Sequence, residues 1–451
     1  MKINFFLLLL LFFVNKSFGV VHELFDAYNQ PLNQHEEQFY TPPTSTTEKD
    51  TLSFDNQAIA SILKRTVTMP LDSSVTNQPS IAYFCADIKY NKGTLKICEL
   101  NPVPGIATSK YNLLIDDKKY FVYSPFWKVF WHYVKQFDIP VWFVGPIYKP
   151  EALEFDSFFE QHYAYHKNLD ELIQDPLFIK QSKKNITDKQ ALSNYGGLII
   201  YTSPFGADLL KSNAIVDKFK AYYPNFLWLN DVSQWFTGNK ELMSRIFLKP
   251  ELQQFKPRWK TYTKNYTPNF AEKIINDFDC EMYVFKPTNS TWSTGVTIVP
   301  QKDLDTTLNL LFDASQKNKT TGKKNLDYWK TDKNKTFIVE EFIQSQTLTI
   351  NGNDYNPTLR LAFVVTHERN TISMTLLGGG WKTPQIPLSQ EGDLIKKHIT
   401  LGLPGEYCGQ VIDPEDFAMM QTIMNNAVPK IYTEMLKNYA RTKQDYQAKS
   451  L

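Results

Sequence analysis

The sequence predicts an α/β protein built in layers, and three observations carry that prediction. Between about residues 110 and 235, short apolar runs at 141–144, 197–201 and 226–229 alternate with polar or helical stretches such as 207–222, the pattern of strands laid between helices. Two runs of alternating polarity, 81–90 and 94–100, flank a turn and read as an antiparallel pair. The tail, about 414–440, carries Phe417, Met420, Ile423, Val428, Ile431 and Met435 at helical spacing, a stripe that predicts a core-packing helix. Shorter segments complete the reading: helices at 58–66 and 239–248, and strands at 281–285, 295–299, 337–343 and 359–366.

At 451 residues the chain can hold two or three domains and bury a large core. Hydrophobic residues make up 42% and charged residues 21%, which excludes disorder as the governing state. A net charge of only +2 supplies no bulk field for nucleic acid or an anionic membrane, so neither is expected as a partner. Lys2 precedes an apolar run at 5–14, and Ser17-Phe18-Gly19 provides small residues before Val20. This predicts a secretory signal over 1–19, too short to span a bilayer, and then a flexible polar leader over 20–55. The mature chain is therefore expected outside the cytoplasm (periplasmic, secreted or delivered into another cell), with no stable membrane association. Four cysteines, at 85, 98, 280 and 408, are too few for a disulfide framework and match no zinc spacing. Asn-X-Ser/Thr sequons occur at Asn15, Asn185, Asn265, Asn289, Asn318 and Asn334.

Residues 283–299 read YVFKPTNSTWSTGVTIV. A strand delivers Lys286-Pro287, a loop of small and hydroxyl residues follows, and a strand resumes after Gly295. Small residues let backbone N–H groups approach phosphate oxygens, and a lysine at the strand end adds positive charge. The loop matches neither G-x-x-x-x-G-K-[ST] nor G-x-G-x-x-G, which argues against a P-loop ATPase or a Rossmann enzyme. Downstream, TFIVEEFI at 336–343 is an apolar strand ending in two carboxylates, and DYNPTLRLAFVV at 354–365 sets Arg360 at the start of another.

This order of a Lys-Pro strand, a Ser/Gly loop, a V-E-E-F-I strand and an Arg-bearing strand resembles the nucleotide half of the ATP-grasp family. Gly238-Asn239-Lys240-Glu241 resembles the segment that carries that family's first phosphate lysine. The resemblance implies Lys240 and Lys286 on the phosphates. It also implies Ser290, Thr291, Ser293, Thr294 and Gly295 in a lid loop, and Glu340, Glu341 and Phe342 near adenine. Arg360, with Lys286, would serve the transferred phosphoryl group. Family members need Mg²⁺, held by an acidic residue on one strand and Glu-x-Asn on its neighbour. Nothing after Arg360 fits, but Asp87 and Glu99-Leu100-Asn101 do. The metal strands thus come first, an order similar to the circularly permuted eukaryotic-type glutathione synthetases. In that likeness the segment 101–109 (NPVPGIATS) would place Thr108 and Ser109 toward an acceptor substrate, whereas NSTWSTG replaces that family's glycine-rich loop.

The hairpin between Cys85 and Cys98 can be paired in two ways. One sets the cysteines opposite each other across an Asn91-Lys92 turn, which needs positive φ at Lys92. The other leaves a three-residue Asn91-Lys92-Gly93 loop and puts Asp87, Glu99 and Asn101 on one face. The second is expected, with no disulfide. The resemblance then implies an ATP-grasp fold in permuted order. Its segments would be metal strands at 56–110, an inserted α/β substrate-binding domain at 111–237, a nucleotide and lid subdomain at 238–350, and the remaining core with C-terminal helices at 351–451. The implied activity is an ATP- and Mg²⁺-dependent ligase joining a small-molecule or peptide carboxylate to an amine through an acyl phosphate. The alternatives are a nucleotide-binding relative without ligase activity and an exported module that binds glycans or peptides.

Overall fold

The computed structural model describes residues 56–71, 75, 78–102, 110–115, 118–123, 125–145, 163–201, 209–290, 293–313, 315, 321–399 and 412–449. The expected signal and leader, Thr108, Ser109 and Thr291 lie outside the described residues. Among those described, no helix is long and apolar enough to cross a membrane.

The principal elements, in chain order, open with helix α1 (Asn56–Leu63), strand β1 (Val67–Pro70) and a long hairpin, β2 (Ser80–Asn91) and β3 (Thr94–Pro102). Next come α2 (Pro125–Lys135), β4 (Val141–Val144), β5 (Tyr163–His166), β6 (Gly197–Tyr201), α3 (Leu209–Tyr222) and β7 (Phe226–Trp228). Then follow α4 (Lys240–Ile246), β8 (Trp259–Thr263), α5 (Phe270–Phe278), β9 (Met282–Pro287), β10 (Thr297–Pro300), α6 (Leu304–Phe312), α7 (Lys324–Thr331) and β11 (Thr336–Glu341). Last are β12 (Thr358–Glu368), β13 (Thr371–Lys382), α8 (Leu394–His398) and α9 (Pro414–Lys449).

The described residues fall into two compact units. The first comprises 140–186 and 195–226. Its sheet holds β5, β4 and β6, and β4 runs parallel to both β5 and β6. Parallel strands must be covered on both faces, which is why β4 is buried throughout. Trp142 meets Phe178 and Phe226 edge-on, with ring centroids 5.7 and 5.5 Å away. Gly197 makes room for that indole, since a Cβ there would lie 2.3 Å from the Trp142 ring.

The second unit holds the described residues of 46–139, 187–194 and 227–451. Its central sheet is antiparallel, ordered β1-β13-β12-β2-β3, so strands from both parts of the chain interleave. Alternation gives this sheet two unlike faces. Phe84, Ala86, Ile88, Ile97, Leu100, Leu359, Leu361 and Phe363 bury one face against α9, which contributes Met420, Met424, Val428, Ile431 and Met435. Each of these side chains larger than alanine contributes about 1.5–3 kcal/mol on burial. The predicted helical stripe is thus the covered face of α9, although the helix continues to Lys449, past the expected end, with Pro429 inside it. The opposite face is apolar around Tyr83 and Val364 and polar around Asp87 and Arg360, where it builds the site described below.

A smaller antiparallel sheet in the same unit is ordered β8-β11-β9-β10. Tyr283, Phe285, Phe337 and Val339 bury one side of it with Ile274 of α5 and Leu304 and Leu308 of α6. Lys286 and Glu340 belong to the alternate set of positions, on the other side.

The hairpin register differs from expectation. Asn91 pairs with Thr94, so the turn has two residues, Lys92 and Gly93, at φ +41° and +86°. This is the positive-φ pair of a type I′ turn. Lys92 adopts the unfavoured conformation because the apolar alternation of both strands fixes the register more strongly than one turn residue can. The pairing shifts between Asp87 and Ile88, where Cys98 is the extra residue of a bulge. Asp87 therefore faces Glu99 directly and Cys85 faces Asn101. Cys85, Cys98 and Cys280 are free.

Candidate functional site

The polar face of the central sheet gathers Asp87, Glu99, Asn101 and Arg360. Strand β12 sets Arg360 opposite Asp87, and the guanidinium donates from Nε and Nη2 to the two carboxylate oxygens, each at 2.7 Å. Such a bidentate pair fixes geometry as well as charge. Lys382, from the end of β13, brings its Nζ to 3.6 Å from Asp87 Oδ2, and Asn101 Nδ2 donates to the same oxygen at 3.4 Å. Burial raises the Asp87 carboxyl, but Arg360 and Lys382 outweigh it and hold the group well below the usual carboxylate range. On β13, Gly380 stands opposite Arg360 and Gly378 opposite Ala362, so that strand adds no side chain beside the guanidinium.

Lys240 opens α4, whose preceding residue Asn239 caps the helix by accepting from Leu242 N–H at 2.9 Å. Lys240 Nζ lies 3.1 Å from Glu99 Oε1 and also donates to the Ser290 carbonyl, while its backbone N–H donates to Thr288 O at 2.8 Å. One lysine thus ties the Ser/Thr loop to the central sheet. Within that loop, Ser290 is buried and its Oγ has no hydrogen bond among the described residues. Ser293 and Gly295 turn the chain at φ +55° and +75°, with Thr294 half-buried between them. Gly295 cannot be larger, because a Cβ would lie 2.5 Å from the Tyr328 ring.

From the smaller sheet, Lys286 Nζ pairs with Glu340 Oε2 at 2.6 Å, and Lys256 Nζ pairs with Oε1 at 2.5 Å. Both ammonium groups also donate to the Cys98 carbonyl, at 3.2 and 3.1 Å. The bulge explains that contact: an extra residue leaves its backbone group outside the ladder, free to accept from side chains. Burial raises the Glu340 carboxyl, but the two lysines more than offset this and lower it overall.

Lys89, two positions beyond Asp87 on the same face, donates to Asn356 Oδ1 at 3.2 Å, Pro357 O at 3.0 Å and His398 O at 2.9 Å. All three acceptors are neutral, and burial lowers this lysine to about 8. Lys89, Lys240, Lys256, Lys286 and Lys382 are all buried. Four of them, Lys89, Lys240, Lys256 and Lys286, have only two carboxylate partners among the described residues, Glu99 and Glu340. A buried surplus of positive charge is unfavourable on its own and calls for an anion.

Of the sequence-derived residues, Asp87, Glu99, Asn101, Lys240, Lys286 and Arg360 meet on the charged face, and those of the 340–342 segment are placed differently from one another. Glu341 stands apart: it pairs with the exposed Arg258 at 2.7 Å. Glu340 presents its side chain to lysines, and Phe342 continues beyond β11 with its N–H donating to Met282 O at 3.1 Å. Lys89, Lys256 and Lys382 were not singled out by sequence. Lys89 shares the alternation of Asp87 and was legible in that sense. Lys256-Pro257 repeats the Lys-Pro pair of 286–287, but so does Lys249-Pro250, whose lysine side chain is 51% exposed, so the signal does not select.

No protein-family model matches the chain, and no curated protein matches it. Among solved structures, the chain is similar to a D-cycloserine synthetase at TM-score 0.31 and 8% identity, covering 64% of this chain and 81% of that one. It is similar to a D-alanyl-alanine synthetase A from Vibrio cholerae at TM-score 0.32 and 9% identity, covering 66% and 81%. It is also similar to the D-alanine–D-alanine ligase of Coxiella burnetii at TM-score 0.27 and 8% identity, covering 69% and 98%. The geometry of the charged face, not these remote likenesses, carries the functional reading.

Proposed function

We propose that the charged face binds Mg·ATP and that the chain is an ATP-dependent ligase of the ATP-grasp kind, with its metal strands placed early in the chain. The observation that carries this reading is the convergence of buried cations between the two sheets, where among the described residues Lys240, Lys256 and Lys286 share only Glu99 and Glu340. Lys240, Lys256, Lys286 and Arg360 converge from four separate segments, and a triphosphate is an anion of matching charge and length. Asp87, Glu99 and Asn101 offer only oxygen and amide donors, the set that suits Mg²⁺. Among the described residues no cluster of three or more His, Cys, Asp or Glu forms. Mg²⁺ is commonly held by one or two carboxylates together with substrate phosphates, so a pair of carboxylates fits. When bound, the ion would neutralise charge on the phosphates.

In the proposed reaction, a substrate carboxylate oxygen bonds to the γ-phosphorus and the bond to ADP breaks. An amine then bonds to the acyl carbon, phosphate departs and the amine loses a proton. Lys286 and Arg360 would stabilise charge on the transferred phosphoryl group. The Ser290–Gly295 loop, anchored by Lys240, would keep water from the acyl phosphate. The carboxylate and amine belong to small molecules or peptides. Export of the chain is part of this proposal. Asn289, a sequon residue, bonds Asn239 at 2.6 Å and Asn334 at 3.3 Å through its amide, so a glycan there would disturb the loop, and this position should be unglycosylated.

Thermal denaturation with and without Mg·ATP tests the reading. Wild-type protein should be stabilised, by about 2.7 kcal/mol at a hundredfold excess over Kd. Lys286→Ala and Lys256→Ala should lose most of that shift. No stabilisation of a folded wild-type chain would overturn the nucleotide reading. Binding without ADP release across a panel of carboxylates and amines would remove the ligase step and leave a nucleotide-binding protein.

A further inference from the structure

Beside the phosphate-binding cations lies a network whose hydrogen-bond directions are fixed. Asn356 is fully buried, and its Nδ2 donates to Ser345 O at 2.9 Å. Its Oδ1 is therefore the acceptor, and Lys89 Nζ, which can only donate, approaches it at 3.2 Å. His398 Nδ1 also meets that oxygen, at 3.2 Å, so this nitrogen carries the proton. Burial, with Lys89 and Lys397 nearby, lowers His398 to about 4, which keeps the ring neutral. The Nε2 atom is left as an acceptor, and it has no hydrogen bond among the described residues. Lys89 holds the backbone of the same residue through His398 O at 2.9 Å.

The ring is aimed at an aromatic neighbour: Phe342 and His398 meet edge to face, with centroids 4.8 Å apart. Phe342 is two residues beyond Glu340, about 7 Å along an extended chain. Phe342 is half-buried, leaving part of a flat apolar surface available.

We infer that Phe342 and His398 form the base subsite, and that His398 Nε2 accepts a hydrogen bond from the exocyclic 6-amino group of adenine. This rests on the nucleotide reading above and adds a specificity to it. A 6-oxo purine would present an acceptor to the same lone pair and be rejected. His398 is thus the residue that selects ATP over inosine triphosphate.

The test compares Mg·ATP, Mg·inosine triphosphate and Mg·N6,N6-dimethyl-ATP by calorimetry on the full chain. Wild type should bind ATP about tenfold or more tightly than either analogue, as expected for one hydrogen bond gained against one left unmade. His398→Phe should weaken ATP about tenfold, to the level of inosine triphosphate, while inosine triphosphate itself changes little. Should that variant fail to fold, selective ¹⁵N-histidine NMR on wild type serves instead. The unprotonated Nε2 resonance should move on adding Mg·ATP and stay in place with the inosine analogue. Equal affinity of wild type for ATP and inosine triphosphate would overturn the role of His398 and leave the nucleotide reading standing. Failure to bind either would overturn both.

Discussion

Glu340 offers one carboxylate oxygen to each of two buried lysines, which is the geometry a bound phosphate would present to the same pair. Replacing it by Gln leaves Lys256 and Lys286 buried with no carboxylate between them. Glu340→Gln should cost about 3–5 kcal/mol of stability at neutral pH, measured by urea denaturation. The pH dependence has a definite sign. Glu340 is held below its ordinary value in the folded chain, so its stabilisation is fully present above the unfolded value of about 4.3. It is lost as the pH falls through the lowered folded value. The gap between wild type and Glu340→Gln should therefore narrow as the pH is taken below about 4. Inorganic tripolyphosphate should stabilise the variant more than wild type, because no internal carboxylate competes for the lysines. A gap that widened in acid would contradict the assigned pairing.

At the scale of elements, the strands that carry the site were readable because their apolar positions alternate over long runs. Asp87, Glu99 and Asn101 share one face only because the bulge at Cys98 offsets the odd register that the two-residue turn sets. Register was not readable, because a bulge at Cys98 moves half the hairpin by one residue and no local residue type announces it. Lys92 misled for a related reason: a lysine at φ +41° is unfavourable locally, and only the sheet it closes compensates. The burial of Lys256 was also unreadable, since it depends on Glu340, 84 residues away in sequence. Tight backbone packing makes a further element testable. A Cβ at Gly379 would lie 2.4 Å from Arg360 O and 2.4 Å from Leu361 Cδ2. Gly379→Ala should force β13 away from β12 and lower stability by about 1–3 kcal/mol. A comparable loss of Mg·ATP affinity is expected, because Arg360 rides on the displaced strand.

At the scale of the whole molecule, a layered α/β organisation was legible from composition and periodicity, including the C-terminal helix and the face it buries. The interleaving of the central sheet was suggested only by which motif preceded which, since pairing across hundreds of residues leaves no periodic mark. Because α9 supplies a large share of the cover of the apolar face, beside Trp235, Phe236, Met243 and Phe247, a chain ending at residue 413 should lose near-ultraviolet circular dichroism and cooperative unfolding. A truncated chain that still melts cooperatively would mean the remaining cover suffices.

The strand order β1-β13-β12-β2-β3 also bears on how the chain is made. Asp87 and Arg360 are 273 residues apart in sequence. At translation rates of about 5–20 residues per second, roughly 14–55 s separate the synthesis of the first partner from that of the second. Throughout that interval the long hairpin has emerged while the strand that pairs with β2 and the helix that covers its apolar side are still unmade. An exposed strand edge of that length is a template for wrong pairing. Newly made chains should therefore depend on chaperones until the last helix is released, and ribosome-bound fragments ending before residue 358 should be protease-sensitive across the hairpin.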